Sequence, residues 1–178
     1  MNYSVALAED RDLVGTPSRR TWRVSFDKRL AEQCARWEKE LALGAVWQFP
    51  DEDLQRLFDA CRLSLLQFHD GDFVSPGPWL YHHFWFRDAC TMLRALDGLG
   101  FHHRVRQALD AFPARLTRDG FFRGPDGEWD SNGTVLWTLM HHYQRTSSRA
   151  WLAQQFPIMA RAARWLARKR QTGANGLL

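Results

Sequence analysis

Apolar residues recur at spacings of three and four along most of the chain, which is the period of an amphipathic α-helix. The first such stripe covers residues 29–43, and the pattern stays helical from Pro50 onward. Five further helices are predicted there, with apolar stripes at residues 54–68, 89–99, 105–112, 136–143 and 159–166. The spacing therefore predicts an all-α fold.

The N-terminal part of the chain has a different pattern. Residues 21–26 (Thr-Trp-Arg-Val-Ser-Phe) alternate polar and apolar positions, which is the period of a β-strand. No neighbouring segment offers a partner strand, so we expect a short N-terminal strand or arm. The helix start at Phe49-Pro50-Asp51-Glu52 then separates an N-terminal arm and linker helix, residues 1–49, from a helical-hairpin domain, residues 50–178.

An internal repeat organises the helical domain. A repeated helical hairpin buries its apolar face by stacking against its neighbours. The alternative is a chance similarity between two amphipathic helices. An offset of 44 residues superposes Trp85 on Trp129, Asp88 on Asn132, Met92 on Leu136, Leu96 on Met140, and Phe112-Pro113 on Phe156-Pro157.

The composition is that of a globular protein with a surplus of aromatic residues. The chain has 178 residues, of which 45% are hydrophobic and 13% aromatic, and nine are Trp. Core packing accounts for most of these rings. An indole also stacks on the C–H face of a sugar ring and carries an N–H donor, so the surplus suits a carbohydrate-binding surface as well.

Charge, cysteine content and hydropathy exclude several classes of protein. The net charge is +4, but the cations are interleaved with Asp and Glu along the helices, so we expect no nucleic-acid partner. Three cysteines without a C-x-x-C pair indicate neither a disulfide framework nor a zinc knuckle, and we expect Cys61 and Cys90, which fall on apolar helix faces, to be small core residues. The absence of a leader pattern and of any run of transmembrane length predicts a cytoplasmic protein without a membrane partner.

Six of the seven histidines form adjacent pairs, at positions 82–83, 102–103 and 141–142. Neighbours on a helix diverge by about 100°, so one pair cannot readily chelate a metal ion. No H-E-x-x-H spacing is present. We therefore expect no metal site and no cofactor.

Polar and aromatic residues are concentrated where two of the predicted helices begin. The two junctions are Trp85-Phe86-Arg87-Asp88 and Trp129-Asp130-Ser131-Asn132. Asp88 and Asn132 could be simple N-caps. Arg87 and the aromatic residues, including Tyr81, are not explained in that way. Together these groups offer the donors, acceptors and flat apolar surfaces that a pyranose requires.

The stretches Tyr81 to Leu93 and Gly127 to Trp137 resemble the six-hairpin glycosidases, which include glucoamylase-like and bacterial glycogen-debranching-like glycoside hydrolases. The likeness extends from about Pro50 to the C-terminus and rests on the motifs W-x-R-D and E-W-D-x-N-G. It implies a partial (α/α)6 toroid of stacked hairpins, with the sugar bound at the centre of one end.

The resemblance also implies roles for particular residues. Arg87 and Asp88 match the residues that hold hydroxyl groups of the sugar in the cleavage subsite, and Tyr81 matches an aromatic residue that flanks the same sugar. The second motif adds residues to the same site. The implied substrate-binding set is Tyr81, Trp85, Arg87, Asp88, Trp129, Asp130 and Asn132.

The expected activity belongs to a longer parent protein. Glycoside hydrolysis requires two carboxylates, and in the similar enzymes both come from later hairpins, so we expect the catalytic pair beyond Leu178 and an inactive chain. Glu128 and Asp130 are a less favoured pair, because carboxylates at helix starts usually serve as caps. The leading hypothesis is a fragment of an inverting hydrolase of carbohydrate metabolism that binds α-linked glucose-type oligosaccharides.

A second hypothesis is a non-enzymatic helical-repeat interaction domain. An open array of hairpins leaves one apolar edge without a neighbour, which favours self-association or a protein partner. Binding of sugars would distinguish the two hypotheses.

Overall fold

The computed structural model of the chain describes residues 25–124 and 127–172. These residues form six α-helices and one two-stranded sheet, which confirms the all-α class. A 3-10 helix, Phe112–Arg115, follows the fourth α-helix. The α-helices are α1 (Phe26–Leu41), α2 (Glu52–Gln67), α3 (Phe86–Gly98), α4 (His102–Ala111), α5 (Ser131–Thr146) and α6 (Arg149–Thr172).

The chain divides into two compact units, Met1–Lys39 and Glu40–Leu178. In the first unit, the expected N-terminal strand is wrong at Phe26, where α1 begins, and residues 21–24 lie outside the described part of the chain. None of the α1 residues is buried, and Phe26 is 73% exposed. All remaining elements belong to the second unit.

Helix α2 begins where the sequence predicts but orients its side chains differently. Asp51 is the N-cap, and its side chain accepts a hydrogen bond from the Leu54 amide at 2.8 Å. Leu57 and Cys61 of the predicted apolar stripe are exposed and Phe58 is half-buried, whereas Arg62 is buried and donates to the Leu41 carbonyl at 3.1 Å. The expectation that Cys61 is a core residue is therefore wrong.

A short hairpin follows α2, where the sequence indicated only a helix stop. Strand β1 (His69–Asp70) pairs antiparallel with β2 (Phe73–Val74), and His69 lies opposite Val74. Gly71 turns the chain with a φ of 67°, which favours glycine. Strands of two residues are too short to produce an alternating pattern.

Helix α3 supplies the largest part of the core and packs against α2, α4 and α5. Its buried face follows the helical period, from Phe86 through Cys90 and Leu93 to Leu96. Burial raises the pKa of the Cys90 thiol to about 12, as befits the core position predicted for it. Four buried phenylalanines pack edge-to-face beside the helix start, with centroids 4.8 to 5.6 Å apart: Phe84, Phe86, Phe112 and Phe122.

The 44-residue repeat agrees with the structure in its first helix only. With a shift of 44 residues, Phe86, the first residue of α3, corresponds to Asp130, which lies one residue before α5. The second half differs, because Phe112 is buried in the 3-10 helix whereas Phe156 is 62% exposed on α6. Helix α6 continues through Pro157, so the two Phe-Pro pairs are not structurally equivalent.

Candidate functional site

The starts of α3 and α5 are joined by a buried carboxylate. Glu128 is 5% exposed, and its two oxygens accept hydrogen bonds from the Phe86 amide at 2.8 Å and the Arg87 amide at 3.0 Å. It thereby caps a helix that begins 42 residues earlier in the chain. A carboxylate in this position also interacts favourably with the positive end of the helix dipole.

This arrangement replaces the caps expected from the sequence. The N-cap residues of α3 and α5 are Trp85 and Asp130, and neither side chain caps its own helix in the described structure. Asp88 and Asn132 lie inside the first helical turns, so the N-cap interpretation of these two residues is wrong. The close approach of Glu128 also requires glycine at position 124, where a Cβ atom would collide with the carboxylate.

Arg87 and Asp130 form a two-point ion pair between the same helix starts. The Arg87 Nε donates to Asp130 Oδ2 at 2.9 Å, and Nη2 donates to Oδ1 at 2.8 Å. The bonded guanidinium lowers the pKa of Asp130, and the carboxylate raises the pKa of Arg87. Both side chains stay charged at neutral pH and remain largely exposed, at 65% and 49%.

Three aromatic rings, which we call the aromatic stack, pack in series, and the outer ring belongs to Trp129, the residue before Asp130. Trp129 stacks on Phe121 at 5.6 Å and 24°, and Phe121 stacks on Trp165 at 4.7 Å and 23°. Trp165 is buried and donates its indole N–H to Asp119 at 3.1 Å. Trp129 is 65% exposed, so the outer end of the stack offers an indole to solvent beside Asp130.

Three other predicted residues, Asp88, Trp85 and Tyr81, are less clearly connected with the Arg87–Asp130 pair. Asp88 and Trp85 are both partly buried at the start of α3. Tyr81 precedes the helix in an exposed loop, with a φ of 58° that is uncommon for a non-glycine residue. Beside the dominant effect of Asp130, the charge of Asp88 contributes to the raised pKa of Arg87.

Asn132 does not reach this surface. It is completely buried, and its carbonyl oxygen accepts from the Phe122 amide at 2.7 Å. Its amide group donates to the carbonyls of Gly120 at 2.8 Å and Ala162 at 3.1 Å. Because these bonds fix the loop before α5 against α6, we remove Asn132 from the candidate sugar-binding set.

Two hollows in the described part of the chain can be compared with the candidate surface. One, of about 270 Å³, is lined by Trp165, Asp119 and Arg168 together with Lys169 and Thr172, and so adjoins the inner end of the aromatic stack. The other, of about 450 Å³, lies between β2, Phe84 and the segment 110–115. The residues that line these two hollows include neither Arg87 nor Asp88.

Comparisons of the chain with protein-family models, curated proteins and solved structures found no match. The likeness to the six-hairpin glycosidases thus stays a resemblance of motifs. In the described part of the chain, no helix is both long and apolar enough to cross a membrane.

Sequence reasoning missed a second group of polar residues at the opposite ends of the same helices. The Asp97 carboxylate accepts from His102 Nδ1 at 2.7 Å and from His142 Nδ1 at 2.9 Å. Burial alone would raise the pKa of Asp97, but the hydrogen bonds from His142 and His102 outweigh it and hold the pKa below its ordinary value. We call these three residues the His-Asp-His cluster.

A signal for this cluster was present in the sequence. The geometry within one adjacent pair of histidines does not reveal this cluster, because His102 and His142 come from different pairs. The 44-residue offset carries Asp97 to His141, so the repeat itself places the ends of α3 and α5 together. His141 Nδ1 indeed lies 3.8 Å from Asp97 Oδ2.

Proposed function

We propose that this chain is part of a glycoside hydrolase that acts on α-linked glucose-type saccharides, and that it forms one portion of an (α/α)6 toroid. Its role is to bind the sugar rather than to cleave it. The observation that carries the proposal is the exposed Arg87–Asp130 pair, together with the exposed indole of Trp129, the residue before Asp130 in the chain. Asp88, Trp85 and Tyr81 complete the proposed surface.

The chemistry of this surface matches that of a pyranose. Each of two vicinal hydroxyls can donate to a carboxylate and accept from a guanidinium, while the C–H face of the ring packs on an indole. A guanidinium carries five N–H donors, and the pair with Asp130 uses two of them. Because exposed ion pairs contribute little to stability, sugar hydroxyls can compete for these groups.

The state of the local carboxylates supports a binding role. Both oxygens of Glu128 hold the start of α3, and both oxygens of Asp130 hold Arg87. Glu128 is therefore not available as the acid or base of a hydrolytic pair, and the bond from Arg87 lowers the pKa of Asp130, so that Asp130 has no proton to donate as the acid. We propose that the parent protein, a cytoplasmic enzyme, carries its catalytic carboxylates on hairpins that follow Leu178.

Calorimetric titration of the full chain with glucose, maltose and an acarbose-like inhibitor tests the proposal. We expect heat of binding with at least one of these sugars. Arg87→Ala, Asp88→Ala and Trp129→Ala should each weaken binding roughly tenfold or more, since each removes a charged hydrogen-bonding group or the stacking surface.

Two control variants are matched to these changes. Arg56 on α2 is also an exposed, ion-paired arginine, and Trp137 on α5 is 56% exposed, close to the value for Trp129. Arg56→Ala and Trp137→Ala should leave sugar binding unchanged. Wild-type protein that binds none of the three sugars would overturn the proposal, as would equal losses in the control variants.

A second candidate function, a helical-repeat interaction domain, is favoured by a separate observation. Several large apolar side chains on the helices are exposed, among them Leu57 on α2, Trp137 on α5 and Phe156 on α6. Such side chains are typical anchors of protein interfaces when they form a patch. This function predicts association of the chain without any response to sugars.

A further inference from the structure

The His-Asp-His cluster brings three potential metal ligands together from three helices. Asp97 lies near the end of α3, His102 begins α4, and His142 lies in the last part of α5. One ligand atom from each residue lies within 4.8 Å of the others. The Asp97 side chain is 1% exposed and that of His142 is 2% exposed, whereas that of His102 is 41% exposed.

The donor set has a definite chemical preference. Two imidazoles and one carboxylate suit Zn²⁺ and neighbouring divalent transition metals, and are less suited to Ca²⁺ or Mg²⁺, which prefer oxygen ligands. Zinc holds nitrogen and oxygen ligands at about 2.0–2.2 Å, so tetrahedral ligand atoms stand about 3.3 Å apart. The present Nδ1–oxygen distances of 2.7 to 3.0 Å are close to that separation.

We propose that Asp97, His102 and His142 form a binding site for a divalent transition-metal ion such as Zn²⁺, which ties together the ends of α3, α4 and α5. The ion takes the place of the protons now shared between each Nδ1 and the carboxylate. Each imidazole then carries its proton on Nε2. The partly exposed ring of His102 provides the access path.

A further histidine lies beside the cluster but outside the group of three candidate ligands. His141 Nδ1 is buried without a hydrogen-bond partner among the described residues and lies 3.8 Å from Asp97 Oδ2. His141 is the neighbour of His142 on α5, and neighbours on a helix diverge by about 100°, so the two are poorly placed to bind one ion together. The fourth position of a tetrahedral ion is therefore left for a water molecule.

The surroundings fit a structural metal ion. The His142 ring packs edge-on against the buried Trp151 at 4.7 Å, which fixes its orientation. Trp151 in turn donates its indole N–H to Asp110 at 2.8 Å. A ligand held in this way loses little freedom when it binds an ion, because its rotamer is already set by packing.

The site is separate from the proposed sugar-binding surface. Arg87 and Asp97 are ten residues apart on α3, which corresponds to about 15 Å along the helix axis. The metal proposal does not depend on carbohydrate binding, and either can fail without the other.

The test uses the full chain without an affinity tag, freed of metal with a chelator. Titration with Co²⁺ should produce the visible absorption of a tetrahedral site, and Zn²⁺ should displace the Co²⁺ and raise the melting temperature. His102→Ala should weaken binding by at least about 100-fold, since even changes beyond the ligands cost 10–100-fold in affinity. His102 is partly exposed, so this variant should still fold, which circular dichroism can verify.

His103→Ala is the matched control, because His103 is exposed on the same helix and lies outside the cluster. It should bind Co²⁺ like the wild type. His141→Ala should also keep the Co²⁺ site, because His141 is not one of the three ligands. The proposal is overturned if the wild type gives no tetrahedral Co²⁺ spectrum, or if His102→Ala binds as tightly as His103→Ala; the cluster is then a metal-free hydrogen-bond network.

Discussion

Glu128 illustrates how a single buried side chain determines the geometry of the proposed sugar surface. Its carboxylate accepts hydrogen bonds from two backbone amides at the start of α3, and Glu128 itself lies three residues before the start of α5. The orientation of Arg87 relative to Asp130 follows from this link, because both residues are adjacent to it in space. Charged caps of this type combine hydrogen bonding with the helix dipole.

We therefore expect Glu128→Gln to lower the free energy of unfolding by about 1–3 kcal/mol, since the amide group of Gln can accept only one of the two bonds and leaves a buried N–H unpaired. Urea denaturation at neutral pH measures the change. Glu52→Gln is the control, because the side chain of Glu52 is 92% exposed in the first turn of α2. Equal effects of the two substitutions would contradict the role of Glu128.

At the scale of elements, the β1–β2 hairpin is attached to α4 through one histidine. His69 is 5% exposed, and its Nε2 lies 2.8 Å from the Arg104 carbonyl, to which it donates. Its Nδ1 is buried without a hydrogen-bond partner among the described residues. Burial lowers the pKa of His69, and the charges of Arg104 and His103 lower it further, although the bond to the Arg104 carbonyl opposes this.

The sign of the resulting pH dependence follows from linkage. The unfolded chain binds a proton at His69 below about pH 6.5, whereas the folded chain binds it only at lower pH, so the folded state loses stability as the pH falls through this window. The slope due to one such group approaches at most about 1.4 kcal/mol per pH unit. We expect the unfolding free energy to show this loss between neutral and mildly acidic pH.

Urea denaturation at several pH values tests the assignment. His69→Gln keeps a donor for the Arg104 carbonyl but cannot titrate, so its stability should depend less steeply on pH than that of the wild type. His83→Gln changes an exposed histidine and should retain the wild-type slope. A wild-type slope in His69→Gln would show that other groups cause the acid sensitivity.

The sequence predicted the helices well because each produces its own local apolar stripe. The failures have a common physical cause, which is that they depend on residues distant in the chain. The bond from Glu128 spans 42 residues and the one from His142 spans 45, so no local pattern reveals them. The exposure of Leu57 and Cys61 on α2 is a similar case, because periodicity shows which face of a helix is apolar but not whether a neighbouring element covers all of it.

Among the site residues, the motif identified which junctions come together but not the role of each side chain. Arg87 and Asp130 form an ion pair between the two junctions, and Trp129 is exposed next to Asp130 in the chain. The motif places Asn132 among the sugar-binding residues, but its side chain forms hydrogen bonds with three backbone groups in the core. Burial of an amide side chain at the second residue of a helix is not encoded in local spacing.

On the scale of the second compact unit, α3 and α5 are fixed to each other at both ends. Glu128 and the Arg87–Asp130 pair link their starts, and the His-Asp-His cluster links their ends. Two helices joined in this way resist sliding and rotation, which keeps the sugar-binding groups in place. A metal ion at the far end would strengthen the second link without touching the first.

The exposed apolar side chains of α5 and α6 predict self-association of this unit. Trp137 is 56% exposed and Phe156 is 62% exposed, with Met140 also exposed one turn beyond Trp137. Stable interfaces bury about 1,200–2,000 Å² in total and depend on a few aromatic anchors surrounded by polar contacts. These side chains can serve as the anchors, and the charged residues of the two helices can supply the rim.

Sedimentation velocity over a range of concentrations measures the association. We expect the wild type to form dimers or larger species, and Trp137→Glu and Phe156→Glu to shift the chain toward the monomer by roughly tenfold or more in dissociation constant, since loss of an anchor costs about 2 kcal/mol or more. Trp79→Glu is the control, because Trp79 is 90% exposed in the loop before α3, away from these helices. If the wild type is monomeric at every concentration, or if Trp79→Glu has the same effect, these faces of α5 and α6 are not the interface, and the interaction-domain alternative loses the observation that favours it.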